Sequence, residues 1–282
     1  MLLDRDHIRT TIRKLSRQLS KLSASPTPDG VHKFRTSSRR VEVLVADLAR
    51  KRSRNDTKLL KQLARLRKKA GRLRDLDVQS SALRSLKIPQ QPGRKSQLMS
   101  TMAEERGRRE RKLVKALNKR AVAEVRKRLK RAASELEIPK NVDPLALAMR
   151  RMRELELEPG AVTEKTLHRF RIAGKRARYI AELADKNAES TRLVEQLRHM
   201  QDVIGDWHDW LQLTEQAEKR FGGVQDSALV AALRNLTRAK FRQAVYTLTE
   251  TRAALANRKP VPITSLGRHP ERQGSGTAAA VA

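Results

Sequence analysis

Apolar residues recur at three- and four-residue intervals along almost the whole chain, the period that puts them on one face of an α-helix. Alternating runs of Val, Ile or Thr that would mark strands are missing, and Gly and Pro gather at a few dividing points. The pattern predicts an all-α protein. A first helix, roughly residues 4 to 22, carries Ile8, Ile12, Leu15, Leu19 and Leu22 on one stripe and ends in SASPTPDG. Thr27 caps a second helix with Pro28 in its first position, and a third follows Asn55 to about Leu86, before IPQQPG. The fourth is long and very basic, from about Ser96 to Leu136, and stops near Pro139. Asp143 and Pro144 repeat the cap-and-proline arrangement for a fifth helix that ends at Pro159 and Gly160. Helices over roughly Glu164 to Lys186, Glu189 to Phe221 and Gln225 to Asn257 complete the set. Eight helices predict two antiparallel four-helix bundles, over residues 1–138 and 143–257. The tail, 258–282, is rich in Pro, Gly, Ser and Ala, has little to bury, and is expected to be disordered.

An internal repeat supports this division. VHKFRTSSRRVEVLV, from Val31, aligns without gaps with LHRFRIAGKRARYIA, from Leu167, pairing His32 with His168, Arg35 with Arg171, Arg39 with Lys175 and Arg40 with Arg176. LARLRKKAGRLRDLDV, from Leu63, aligns with LRHMQDVIGDWHDWLQ, from Leu197, pairing Gly71 with Gly205 and Asp75 with Asp209. The shared order and near-equal spacing predict two pseudo-symmetric halves that arose by duplication.

At about 100° per residue, His32, Arg35, Thr36, Arg39 and Val43 share one face of the second helix, with Arg40 at its edge. Phe34, Val41, Leu44, Val45 and Leu48 lie opposite. The sixth helix repeats this, setting His168, Arg171, Lys175, Arg176 and Tyr179 away from Phe170, Ala177, Ile180 and Ala184. Cations crowded on one face repel each other unless an anion neutralises them, and phosphates do so through charge-assisted hydrogen bonds. Arg offers a planar fork and Lys a compact charge, and a histidine beside phosphates gains protons more readily. One such stripe is commonly just a solvated helix face; the same order occurring twice favours a binding role. The third helix extends the basic surface with Lys61, Arg65, Lys68, Arg72 and Arg74, among which Lys68, Arg72 and Arg74 are additional candidate phosphate contacts. Asp75 lies on that side too, and Asp209 in the other half; both are expected to pair with and orient cations.

Composition sharpens the partner. Sixty-three Lys and Arg against 31 Asp and Glu give a formal charge of +32, which calls for a polyanion, while 38% hydrophobic residues suffice for a real core. The lack of cysteine excludes disulfide frameworks, thiolate metal sites and cysteine nucleophiles. No apolar run approaches a membrane span, and MLLDRDHIRT places charges where a signal peptide needs its hydrophobic region, so a cytoplasmic protein without membrane contact is expected.

The two His-x-x-Arg helices, with GRLRDLDV and its weaker partner GDWHDWLQ, resemble the CHAD (conserved histidine α-helical domain) family over nearly the whole helical chain. The resemblance implies a pseudo-symmetric pair of four-helix bundles whose basic helices line a central surface that binds inorganic polyphosphate, with association to polyphosphate granules. Carried onto this chain, it implies contacts by His32, Arg35, Arg39, Arg40, His168, Arg171, Lys175 and Arg176. The second GD segment departs from the first, with His208 in place of Arg74 and Leu211 in place of Asp77.

Other constellations carry less. Asp202, Asp206 and Asp209 share a helix face as a divalent-metal site would, beside His199 and His208, but in so basic a chain they read as salt-bridge partners. Trp207 and Trp210 read as core or bundle-interface residues. Glu154, Glu156 and Glu158 alternate like the acidic strand of triphosphate tunnel enzymes, yet they end a helical stripe before Pro159. No Gly-rich phosphate loop, nucleophile elbow or isolated acid–base carboxylate pair is present, so neither catalytic residues, cofactor nor metal are expected. The leading expectation is noncatalytic polyphosphate binding. Nucleic acid is the alternative polyanion, disfavoured by an aromatic content of 3% that leaves little for base stacking. A phosphohydrolase ranks third, for want of a site that could perform the chemistry.

Overall fold

A computed structural model describes residues 5–87, 92–139, 142–155 and 161–256. Among these residues there is no strand, and nine α-helices follow one another: α1 Arg5–Ala24, α2 Pro28–Val43, α3 Arg54–Ser85, α4 Pro92–Ala116, α5 Lys119–Glu135, α6 Pro144–Arg153, α7 Glu164–Ala181, α8 Ala188–Phe221 and α9 Ala228–Ala256. The tail 258–282 lies outside the described residues, as do Glu156, Glu158, Pro159 and Gly160, whereas Glu154 caps the end of α6 and pairs with Arg150 at 3.3 Å.

The expected stripes are the buried ones. Ile8, Ile12, Leu15, Leu19 and Leu22 of α1 are all buried, as are Phe34, Val41, Leu44, Val45 and Leu48. The caps follow the same local logic: Thr27 accepts from the Gly30 amide at 3.1 Å, and Asp143 accepts from the amides of Leu145 and Ala146. For α3 the cap is Ser53, in a capping box with Asp56, so that helix begins before Asn55. Helix α2 runs into a π-helical turn, Leu44–Leu48, and Val43, which the α-helical period puts on the cationic face, is buried.

The single long fourth helix expected from the sequence is two. The chain breaks at Leu117 and Asn118, where the Asn118 side chain caps α5 by accepting from the Ala121 amide at 2.9 Å. The helices therefore number nine among the described residues, not eight. The break lets α5 fold back onto α1 and α3, where it takes the fourth place beside α2, while α4 runs along α3. In the second half α6 packs on α7, α7 on α8 and α8 on α9. The halves meet chiefly where α2 packs on α7 and α3 on α8.

Apolar packing does not stop at the junction of the halves. One cluster runs from Ile8 and Leu63 to Leu147, Phe170, Trp207 and Leu255. A second lies toward the far ends of the long helices, where Leu76, Leu83, Leu98 and Met102 of α3 and α4 meet Trp210, Leu213 and Leu229 of α8 and α9. Both tryptophans are thus core residues, and the two clusters hold α2 and α7 side by side as a rigid frame.

A cationic cleft between the two halves

Helices α2, α3, α7 and α8 enclose a cleft of about 910 Å³. Arg35, Arg39 and His32 enter it from α2, Lys68, Arg72 and Arg74 from α3, and Arg171 and Lys175 from α7. A smaller cavity of about 230 Å³ adjoins it. The two share Arg35, Arg39, Asp75, Arg171, Lys175 and Tyr179, so these residues form the wall at which one chamber passes into the other.

Of the cations at this wall Arg39 is exposed, whereas Arg35, Arg171 and Lys175 are half-buried and held at an electrostatic cost. Burial lowers the pKa of Arg35 and of Arg171, and the neighbouring cations Arg39 and, for Arg35, Arg171 push the same way. For Lys175 burial and the adjacent Arg171 and Arg35 bring the pKa down to about 8. The Nε of Arg171 is buried without a hydrogen-bond partner among the described residues. A buried donor left unmade costs stability, and an acceptor entering the cleft would remove that cost.

Two carboxylates lie among these cations, Asp75 from α3 and Asp209 from α8, without an ion pair or hydrogen bond among the described residues. Burial raises the pKa of both, to about 6 for Asp209, against the opposing pull of Arg171 and Lys175. Burial likewise lowers His32, helped by Arg74 and Arg35, and brings His208 to about 4 with Arg171, His168 and Lys175 contributing.

Four of the expected contacts behave differently. Arg40 binds Glu182 at 2.8–2.9 Å, and Arg176 binds Asp47, itself only 1% exposed, at 2.6–3.0 Å. These two arginines, aligned in the sequence, each reach across to a carboxylate at the far end of the opposite helix and brace α2 against α7, and they also line the chambers, Arg40 the larger and Arg176 the smaller. Arg151 also reaches Asp47, at 2.6 Å. Arg39 lines both chambers but donates to Glu42 at 2.9 Å. His168 lines neither chamber; it is exposed and its ring lies tilted against that of His208, with centroids 5.7 Å apart, and His208 lines the smaller one.

Sequence reasoning missed Arg67, which is 8% exposed, lines the cleft, and bonds Ser38 at 3.0 Å and Glu42 at 2.7 Å. Its aligned residue Gln201 donates to the Gly174 carbonyl at 2.7 Å, and Gly174 aligns with Ser38. Each long helix is thus locked to its neighbouring basic helix by a buried polar side chain at the corresponding place. The signal was available: Arg67 lies on the α3 face of Leu63, Leu66 and Ala70, where a charge must have partners. Among the described residues there is no cluster of three or more His, Cys, Asp and Glu positioned to hold a metal ion. Asp206 instead pairs with Lys240 at 2.8 Å. Nor is any described helix long and apolar enough to cross a membrane.

The fold and the cleft define a class: an all-helical protein whose two basic helices, α2 and α7, meet across a cationic groove. The chain belongs to the CHAD domain family, whose model matches residues 6–218. Its structure is similar to the CHAD domain from the plant Ricinus communis, with a TM-score of 0.63, 19% identity and 90% of each chain covered. It is also similar to PptA from Streptomyces chartreusis, with a TM-score of 0.59, 12% identity, and 88% of this chain and 95% of the other covered. At such identities the likeness is one of fold. No curated protein sequence matches the chain.

Proposed function

We propose that the protein is a noncatalytic binding module for inorganic polyphosphate, gripping the chain between α2 and α7 and docking by it on polyphosphate granules. The observation that carries this reading is the convergence of Arg35, Arg39, Arg171 and Lys175, from both halves, on the wall shared by two connected chambers. One phosphate would satisfy one chamber, whereas a chain of phosphates can follow the passage through both. Its oxygens would meet the unpartnered Arg171 Nε and neutralise cations that otherwise repel each other. Lys68, Arg72, Arg74 and His32 serve the approach to the larger chamber, and a phosphate beside His32 opposes the burial and cationic neighbours that lower its pKa. Arg40 and Arg176 act mainly as braces, with His168 at the margin.

Nucleic acid is the competing ligand for the cleft. Tyr179 is the one Phe, Tyr or Trp among its described lining residues and is 8% exposed, so bases would find no stacking platform. The test pairs R35E/R39E/R171E/K175E with the charge-matched K219E/R220E/R238E/R242E, which alters exposed positions on α8 and α9. Several charge-assisted contacts of roughly 1.5–3 kcal/mol each are at stake, so polyphosphate affinity should fall more than about 100-fold in the first and less than about tenfold in the second. Circular dichroism checks that both fold. Equal weakening, or RNA and DNA outcompeting polyphosphate at matched phosphate and salt, would overturn the reading.

A further inference from the structure

A second cationic surface lies away from the cleft. Helices α1 and α5 pack side by side and bury one face each in the same apolar cluster, α1 through Ile12, Leu15 and Leu19 and α5 through Val125 and Leu129. Their opposite faces are cationic. Arg13, Arg17 and Lys21 recur every four residues on α1, and Arg126, Lys127 and Lys130 cluster on α5; all six are exposed. None is paired with a carboxylate among the described residues. The carboxylates of these two helices are Asp6, Glu124 and Glu135, and Glu124 is occupied by Arg128. No residue of either helix lines the cleft.

We propose that the outward faces of α1 and α5 form a second polyanion site that binds the phosphate backbone of double-stranded nucleic acid. Arg13, Arg17 and Lys21 follow one another about one helical turn apart, roughly 6 Å, so the row presents several cations to a line of phosphates at once. Neither helix contains Phe, Trp or Tyr, so single strands have nothing to stack on, whereas duplex binding through backbone charge needs no aromatic. Apolar side chains on both helices point into the core, which leaves no apolar face to insert into a bilayer. The site is sequence-independent and salt-sensitive. It does not depend on what the cleft binds, and a protein with both surfaces occupied would tether one polyanion to another.

The test measures fluorescence anisotropy of a DNA duplex of about 30 base pairs with the full chain across a salt series. Three variants are compared with the parent. The first is R13Q/R17Q/K21Q/R126Q/K127Q/K130Q. The second removes six exposed cations elsewhere, K186Q/R192Q/K219Q/R220Q/R238Q/R242Q, and the third is the cleft reversal R35E/R39E/R171E/K175E. Duplex affinity should fall at least about tenfold in the first variant alone, with its log–log salt slope flattened by about 0.9 for each phosphate the protein no longer neutralises. Equal losses in the first two variants would show a diffuse charge effect and overturn the proposal. So would loss of duplex binding in the cleft variant. Binding of phosphatidylserine vesicles through the six cations, in place of duplex, would assign the surface to membranes and overturn it as well.

Discussion

The guanidinium of Arg35 occupies the space that a side chain at Gly71 would need: a Cβ built there overlaps Nη1 of Arg35. Gly71 is buried in the middle of α3, where glycine costs about 1 kcal/mol relative to alanine. That cost is tolerated because Arg35 must cross α3 to reach the cleft, with Nη1 3.5 Å from the Arg67 carbonyl. The aligned Gly205 has nothing within 4 Å of its Cβ position.

Gly71→Ala should therefore displace Arg35 and weaken polyphosphate binding by about tenfold, or about 1.4 kcal/mol, without unfolding the protein. Gly205→Ala, which adds a methyl to the cleft lining without displacing any side chain, should weaken binding much less and raise stability by roughly 0.5–1 kcal/mol through helix propensity. Calorimetric titration with urea unfolding on both variants checks the pair, and equal binding losses would refute the positional role of Gly71.

The braces between the halves can be broken one carboxylate at a time. Asp47→Asn removes the carboxylate shared by Arg151 and Arg176, leaving two guanidiniums facing a neutral amide. Breaking a fully buried pair costs about 3–5 kcal/mol, but these arginines are 33% and 46% exposed and keep water, so about 1–3 kcal/mol is expected. Urea denaturation measures it. Because the pair spans the halves, the double variant Asp47→Asn/Glu182→Gln should also weaken polyphosphate binding by loosening α2 against α7, although neither residue is proposed to touch the ligand.

How far the sequence reveals these features depends on the range of the interaction. Helix faces and caps are set within a few residues, so the stripe from Ile8 to Leu22, the Thr27 and Asp143 caps, and the convergence of Arg35, Arg39, Arg171 and Lys175 on outward stripes are all legible in it. The break at Asn118 is not: apolar spacing continues from Leu113 through Leu117 to Val125 and Leu129, and only the return of α5 onto α1 makes the cap worthwhile. The partners of Arg40 and Arg176 lie 142 and 129 residues away, so two similar cations per stripe cannot be told apart as ligand contacts or braces from local pattern. His168 fits the stripe but lies against His208 of α8, which the period of α7 alone does not reveal.

Binding should depend on pH in a stated direction. Lys175 has its pKa brought from 10.5 down to about 8, and Asp209 has its pKa raised from 3.8 to about 6. Acidification from pH 9 to 7 charges Lys175, and from pH 7 to 5 it neutralises Asp209, so affinity for a polyanion rises across both steps. Lys175→Arg should flatten the upper step and Asp209→Asn the lower. In the free protein the signs for folding are separate. The unfolded chain binds more protons at Lys175 between pH 8 and 10.5, so that contribution to stability rises with pH there. The folded chain binds more at Asp209 between pH 3.8 and 6, so that contribution falls as pH rises. Polyphosphate should raise the pKa of Lys175, and proton uptake on binding near pH 8.5 is measurable by titration calorimetry in buffers of different ionisation enthalpy.

Whether the cleft does chemistry turns on Asp75 and Asp209. They are the groups a hydrolase reading would choose, being carboxylates of raised pKa in a cationic cleft. Burial is the leading cause for each, and in a pure binding site such carboxylates repel the ligand while tempering the mutual repulsion of Arg35, Arg171 and Lys175. If the site only binds, Asp75→Asn/Asp209→Asn should tighten polyphosphate binding several-fold, since two repelling groups are removed from beside the chain. A hydrolase would behave oppositely: the purified protein would release orthophosphate from polyphosphate, with or without a divalent cation, and the double variant would bind but no longer turn over. Phosphate release followed for hours at stoichiometric protein, beside affinity measurements on the same preparations, separates the two. Tighter binding with no release is the expected result, and turnover abolished by either Asn substitution would make the protein an enzyme.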